Sequence, residues 1–130
     1  MLALNFSSAS SQSNFSLSSN LTEKFRMGSG TYGNACGIAS QDPEMRTKAE
    51  TMIAETNVSG LIDWLGGSNV HKAYGAEGII RLSNQGVAID SEIKALVLDT
   101  KNSPELLSAC RGCVYDKITL TEALGGFDFK

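Results

Sequence analysis

The clearest pattern in the chain is a series of apolar stretches at helical spacing that begins at about residue 42. In the first stretch the apolar side chains recur every three or four positions, at Met45, Ala49, Met52 and Ile53. Charged residues occupy the other faces, as in a helix with one buried face. Asp42 is a suitable N-cap and Pro43 suits the first helical position, so we expect a helix that runs to about Thr56.

Three further helices are predicted before residue 102. The first is short and stops at the glycine pair 66–67. The second starts at a cap at residue 68 or 69 and ends near Gly86, which suits the left-handed position after a helix. The third starts after an Asp90 cap and ends near Lys101, where a cation interacts favourably with the helix dipole.

The C-terminal quarter is predicted to contain two more short helices. Residues 103–105 combine a serine cap, a proline and a first-turn acid, which favours a fifth helix that leads into Cys110–Cys113. Residues 119–122 match a capping box, which opens a last helix that stops at the glycine pair 125–126. Because short loops make consecutive helices antiparallel neighbours, the sequence predicts an all-α fold, either a short stack of helix pairs or a small bundle.

Two glycines, Gly75 and Gly78, lie on adjacent turns of the third predicted helix. Each costs roughly 1 kcal/mol relative to alanine in a helix interior, so we expect a neighbouring helix to approach closely there. The nearby aromatics Trp64 and Tyr74 are expected to pack between the second and third helices. The alternative is an exposed interaction surface built on these two residues, because aromatic side chains are favoured at interfaces.

Residues 1–41 differ in composition from the rest of the chain. They are rich in serine and glycine, and their apolar residues are thinly spread. Such a segment buries too little apolar surface to offset the entropy of ordering it. We interpret it as a flexible tail or linker that precedes a helical domain at 42–130. The alternation of Leu2, Leu4 and Phe6 leaves an edge strand or docking peptide open.

Composition and charge exclude some classes of protein. The 130 residues suit one domain, and the formal net charge of −3 argues against a nucleic-acid binder, which would carry a basic patch. No apolar run approaches the roughly 20 residues needed to span a bilayer. Residues 1–20 contain no Lys or Arg, so no signal peptide is recognisable, although export stays open and the compartment is not assigned.

The candidate chemistry is concentrated at Cys110 and Cys113, two of the three cysteines in the chain. Thiols at this spacing can form a disulfide, hold a metal ion or exchange electrons with another dithiol. A catalytic dithiol is disfavoured, because the negative end of the preceding predicted helix would raise the thiol pKa. We therefore expect a passive disulfide between these two residues, with a redox-active pair as an alternative.

A structural zinc site is a minority alternative for the same segment. Zinc requires four nitrogen or sulfur ligands, and Cys110 and Cys113 supply two of them. Cys36 and His71, the only histidine, would complete a set of three cysteines and one histidine. No second close pair of ligands supports this site, so no metal is favoured and no cofactor is expected.

The order of a longer helix followed by a shorter one occurs twice, at 42–67 and 68–101. This layout resembles the helix pairs of HEAT and armadillo proteins. The Trp-Leu pair at 64–65, the Tyr-Gly-Ala-Glu-Gly stretch at 74–78 and the later Cys-x-Gly-Cys are similar to small helical-repeat proteins of bacteria, over residues 42–115. The resemblance implies a right-handed stack of antiparallel helix pairs and implies no activity.

The predicted function is a non-enzymatic protein-interaction module, with another protein or a second copy as its partner. Acids such as Asp63 and Glu77 are expected on solvated helix surfaces rather than in an acid/base pair. The alternative is a thiol protein centred on Cys110 and Cys113, either zinc-binding or redox-active.

Overall fold

The computed structural model describes residues 30–37, 41–111 and 114–130. The described part contains five helices and one antiparallel hairpin. In chain order these elements are α1 (Glu44–Ala54), α2 (Val58–Leu65), α3 (Asn69–Asn84), α4 (Ser91–Lys101), β1 (Leu106–Arg111), β2 (Val114–Thr119) and α5 (Leu120–Ala123).

The prediction of an all-α fold is confirmed in part, because the described residues are mainly helical but include a hairpin; α3 is the central element. This helix contacts α1, α2, α4 and β1, and an unbroken run of its residues from 73 to 80 is buried. The burial of consecutive residues shows that neighbours cover this helix on several sides. The described residues show no repeat solenoid, and none of their helices is long and apolar enough to cross a membrane.

The two glycines of α3 lie where α2 approaches most closely. A Cβ atom added to Gly75 would lie 2.7 Å from the Leu61 carbonyl oxygen, and one added to Gly78 would lie 2.7 Å from a Leu61 methyl group. Both distances are shorter than a van der Waals contact. At Gly75 the obstacle is the α2 backbone, so glycine is required for the backbones to come this close; at Gly78 it is a side chain. The expectation of close helix packing is confirmed.

The predicted fifth helix is wrong, because residues 106–111 form strand β1. The Ser103 hydroxyl accepts a hydrogen bond from the Glu105 amide at 3.2 Å, so the apparent helix start closes a local turn instead. Beyond it, the buried Leu107 and Ala109 alternate with the more exposed Leu106 and Ser108, which is the period of a strand. Pairing with β2, in which Leu107 lies opposite Ile118, completes the hairpin.

Side-chain caps begin three of the helices. The Asn57, Ser68 and Thr119 side chains accept hydrogen bonds from backbone amides of α2, α3 and α5, and Thr119 forms the predicted capping box with Glu122. The predicted Asp42 cap is wrong, since Pro43 is the N-cap of α1 and no side-chain hydrogen bond caps this helix.

Residues 30–37, which the sequence assigns to a flexible linker, lie against the helical domain. Tyr32 forms a parallel bridge with Ala109 of β1 and is buried. The Asp42 carboxylate, instead of capping α1, accepts a hydrogen bond from the Ala35 amide at 2.7 Å. The expectations for residues 1–29, including the docking alternative, lie outside the described residues.

Candidate functional site

The structure pairs Cys110 with Cys36 in a disulfide across 74 residues, with the Cα atoms 5.6 Å apart. The sequence led us to expect a disulfide between Cys110 and Cys113, but in the structure Cys110 is bonded to Cys36. The reason is tertiary, because the bridge between Tyr32 and Ala109 brings the N-terminal segment beside β1. Cys113 itself lies outside the described residues.

The disulfide lies in a confined space at one end of the hairpin. Cys36 and Cys110 are 6% and 5% exposed. A Cβ atom on Gly33, whose φ is +150°, would lie 2.5 Å from the Cys110 sulfur and 2.6 Å from its carbonyl oxygen. On the other side, a Cβ atom on Gly37 would lie 3.3 Å from the Tyr115 hydroxyl. The Gly33 backbone can approach the disulfide only because it has no side chain.

Three residues of the zinc alternative are described, and they are not assembled as ligands. Cys36 and Cys110 share a disulfide, so neither supplies the thiolate that zinc requires. His71 lies in the first turn of α3, where its Nδ1 is 2.7 Å from the Ser68 hydroxyl and its ring meets the Trp64 ring edge-on at 5.0 Å. Within the described ranges, no three His, Cys, Asp or Glu side chains form a group that could hold a metal ion.

A buried ion pair lies beneath the N-terminal segment. Arg46 of α1 and Glu77 of α3 are 4% and 2% exposed. Two Arg46 nitrogens donate to the two Glu77 oxygens at 2.7 and 3.0 Å, a bidentate geometry that satisfies both groups. The Tyr32 hydroxyl donates to the same carboxylate at 2.5 Å. Glu77 is thus buried, contrary to the expectation of a solvated surface.

Two tyrosines complete this cluster and attach it to the N-terminal segment. The Tyr74 hydroxyl donates to the Thr31 carbonyl at 2.6 Å and accepts from the Gly33 amide at 3.0 Å. The Arg46 guanidinium lies 4.8 Å from the Tyr74 ring and 5.4 Å from the Tyr32 ring, within range of cation–π attraction. Burial raises the pKa of Tyr74 to about 12, and burial together with Glu77 raises the pKa of Tyr32, so both phenols stay protonated.

A second ion pair extends the cluster toward solvent. The Arg81 guanidinium donates to both oxygens of Glu50 at 2.6 and 3.0 Å and to Glu77 at 3.0 Å. The hydrogen bond from Arg81 lowers the pKa of Glu50. Through these ion pairs Arg46, Glu50, Glu77 and Arg81 join α1 to α3.

This cluster was missed by sequence reasoning, although a signal for it exists. Arg46 and Glu50 are four residues apart in α1, and Glu77 and Arg81 repeat that spacing in α3 with the charges reversed. Such i,i+4 pairs usually stabilise a solvated helix face. Only the packing of α1 on α3 turns the two pairs into one buried network.

Tyr74 is 0% exposed, and Trp64 is half-buried with its ring 6.3 Å from the Tyr74 ring, which agrees with the expected packing between the helices. The alternative of an exposed interaction surface built on these two residues does not fit the burial of Tyr74. Large apolar side chains are instead exposed elsewhere. Among the described residues these are Leu96, Leu98, Leu106, Val114 and Tyr115, of which the last three belong to the hairpin.

The backbone of the hairpin is oriented by its pairing on both sides of β1. The Tyr32 carbonyl accepts a hydrogen bond from the Cys110 amide, and the Tyr32 amide donates one to the Ser108 carbonyl, both at 2.9 Å. Successive residues of a strand point their backbone N–H and C=O groups to opposite sides. The backbone groups of Ala109 therefore point toward β2, where Ala109 lies opposite Asp116. The backbone groups at positions 115, 117 and 119 therefore face the outer edge of β2.

Two backbone amides at this outer edge donate hydrogen bonds to carboxylates of the same chain. The Lys117 amide donates to the Asp116 carboxylate at 2.8 Å, and the Thr119 amide donates to the Glu122 carboxylate at 3.0 Å. Charged residues and occupied amides are typical of edge strands that resist pairing with another strand. The exposed surface of the hairpin is therefore suited to contacts through side chains rather than through strand addition.

The chain matches no protein-family model, no curated protein and no solved structure.

Proposed function

We propose that this protein is a protein-binding domain whose contact surface is the β1–β2 hairpin. The observation that carries the proposal is the exposure of Leu106, Val114 and Tyr115, at 58%, 61% and 45%. Val114 and Tyr115 are neighbours at the turn end of the hairpin and point to its two faces, whereas Leu106 lies at the open end. A partner that encloses the turn end contacts both side chains, and tyrosine contributes strongly to binding energy at such sites.

The bonds that hold the hairpin to the rest of the domain support this role. β1 is joined to the N-terminal segment by the disulfide, and its Leu106 carbonyl accepts a hydrogen bond from the Asn69 side chain of α3 at 3.0 Å. At the start of α5, the Leu120 amide donates to the Glu105 carbonyl at 2.9 Å. A surface fixed at several points loses little conformational entropy when it binds.

The chemistry of the hairpin indicates the kind of partner. Apolar side chains at both ends of the hairpin are separated by Asp116 and Lys117, which are exposed. The complementary surface is another protein with apolar groups that receive Val114 and Tyr115 and polar groups beside them. The carboxylates of Asp116 and Glu122 occupy two amides at the outer edge of β2. We therefore expect the partner to bind the side chains of the hairpin rather than to add an extended peptide to this edge.

Site-specific photo-crosslinking tests this function in cells that naturally make the protein. A benzophenone amino acid is placed at Val114 or Tyr115 and, as controls, at Glu55 or Glu92, which are exposed at helices α1 and α4. We expect a discrete cross-linked product from the two hairpin positions only. A product of twice the chain mass would identify the partner as a second copy.

A matched variant decides whether the product depends on the proposed surface. With the cross-linker at Val114, Tyr115→Ser should abolish the product, whereas Glu55→Ser should leave it unchanged. Both residues are exposed, so each change should alter the free energy of unfolding by no more than about 1 kcal/mol. Absence of a hairpin product, or equal products from helix positions, would refute the proposal.

A further inference from the structure

We propose that the Cys36–Cys110 disulfide is a redox-sensitive latch. In the oxidised protein it holds residues 30–37 over the buried Arg46–Glu77 pair. Its reduction releases this segment while the helices stay folded. This inference does not depend on the proposed binding function, because it concerns only the N-terminal segment, β1 and the cluster beneath them.

The contacts of the segment converge on a short stretch of backbone. Tyr32 makes the two backbone hydrogen bonds to β1 and places its hydroxyl on Glu77. The Gly33 carbonyl accepts from the Arg46 side chain at 3.0 Å. The disulfide lies next to this stretch, so one covalent bond keeps all of these groups at high effective concentration.

The groups beneath the segment keep partners when the segment leaves. Glu77 retains both hydrogen bonds from Arg46 and the one from Arg81. The Tyr74 hydroxyl loses Thr31 and Gly33, and water replaces them. Opening a buried network is very costly when it leaves a buried charge without a partner. Here no buried charge loses its partner. The cluster therefore tolerates an open state.

The helical core is built independently of the latch. Large side chains of α2 and α3, such as Leu61 and Ile79, are fully buried and lie outside the N-terminal segment. The remaining helices pack on α3 in the same way. Loss of the segment uncovers one side of this core and leaves its centre intact.

The chemical step is thiol–disulfide exchange with a dithiol reductant, which reaches the buried sulfurs during a local opening of the segment. One thiolate of the reductant attacks a sulfur of the Cys36–Cys110 bond, which forms a mixed disulfide and releases the other cysteine as a thiolate that takes up a proton. The second thiol of the reductant then displaces the remaining cysteine. The protein gains two electrons and two protons as two thiols, and the reductant becomes a disulfide.

Hydrogen exchange at two amides measures the opening directly. The Tyr32 and Cys110 amides donate across the junction between the segment and β1, so their exchange reports its separation. Release of a constraint on a loop of 74 residues should accelerate their exchange by roughly 100- to 1,000-fold. The Ile79 amide in the middle of α3 serves as the reference for the folded core.

The experiment uses full-length Cys113→Ser protein, in which Cys36–Cys110 is the only disulfide that can form within one chain. Exchange is compared with and without dithiothreitol, and also in a variant that adds Cys36→Ser and Cys110→Ser. We expect faster exchange at the Tyr32 and Cys110 amides on reduction, the same rates in the triple variant without reductant, and unchanged exchange at Ile79.

Two results would overturn the latch. Unchanged exchange at Tyr32 and Cys110 on reduction would mean that non-covalent contacts alone hold the segment. Equal acceleration at Ile79 would mean that the disulfide supports the whole fold and is not a local device. Return of slow exchange after reoxidation with glutathione disulfide would support the latch as a reversible element.

Discussion

Gly33 is the residue at which the N-terminal segment passes over the disulfide. Its φ of +150° and its contact with Cys110 leave no room for a side chain. A backbone position of this kind is defined by its neighbours in space, and nothing in the local sequence distinguishes Gly33 from Gly30 or Gly37. A single methyl group therefore tests the geometry of the whole junction.

We expect Gly33→Ala to lower the free energy of unfolding by roughly 2–4 kcal/mol, through backbone strain and overpacking against Cys110. Urea unfolding followed by Trp64 fluorescence measures the loss. Gly126→Ala is the matched control, because a Cβ atom there meets nothing within 4 Å. Equal stability of the two variants would contradict the close approach.

Glu50 is the residue that makes the ion cluster sensitive to acid. The hydrogen bond from Arg81 lowers the pKa of this carboxyl in the folded protein. Its contribution to stability is therefore fully present above its unfolded pKa of roughly 4.3 and is lost as the pH falls through the lower folded value. Because the side chain is 41% exposed, solvent screening keeps this contribution modest.

The pH dependence of Glu50→Gln tests this linkage. We expect its free energy of unfolding to fall less steeply than that of the unchanged protein between about pH 5 and pH 3. Glu55→Gln, at an exposed position one residue beyond α1, provides the control for removing a carboxylate. Parallel stability curves for all three proteins would show that the Arg81 contact contributes nothing.

Helix α3 demonstrates how one element organises its neighbours. Its glycines admit α2 on one side, and its Glu77 and Arg81 bind α1 on another. The sequence predicts the glycine contact, because a glycine in a helix interior needs a reason. It does not predict which helix charges are buried, because i,i+4 pairs look alike on solvated and buried faces.

The two glycines should differ in their response to alanine. At Gly75 the added Cβ atom meets the Leu61 carbonyl oxygen, which is fixed in α2, whereas at Gly78 it meets Leu61 methyl groups that can rotate. After the gain of about 1 kcal/mol in helix propensity, we expect Gly75→Ala to cost roughly 1–3 kcal/mol. Gly78→Ala should cost less than about 1 kcal/mol.

Thermal unfolding followed by circular dichroism at 222 nm compares these two variants, each of which is the control for the other. A larger loss for Gly78→Ala than for Gly75→Ala would mean that the Leu61 side chain is held more rigidly than the α2 backbone. That result would contradict the distinction between a fixed oxygen and a movable methyl group.

The domain as a whole includes residues 30–37 as well as its helices. These residues bring in a buried tyrosine and one half of the disulfide. A sequence boundary at residue 42 is natural for a change in composition, but the long-range contacts cross it. The domain is thus defined by what the chain buries rather than by where its helical pattern begins.

Truncation tests this definition. A chain that begins at Asp42 lacks Tyr32 and Cys36, so we expect it to be less stable than a chain that begins at Gly30 by at least about 3 kcal/mol. Calorimetry under oxidising conditions measures the difference between the two chains, each of which carries Cys113→Ser so that Cys36–Cys110 is the only disulfide that can form within one chain. Equal unfolding temperatures would return residues 30–37 to the role of a linker.

The sequence alone determines those features that arise within a few neighbouring residues. Four helices, the capping box at Thr119 and the reason for Gly75 and Gly78 follow from helical spacing and local hydrogen bonds, which act over one or two turns. The tertiary structure decides the hairpin at 106–119, the partner of Cys110 and the burial of Glu77. Each of these depends on a contact with residues far away in the chain, such as Tyr32 or Arg46, which local pattern does not record.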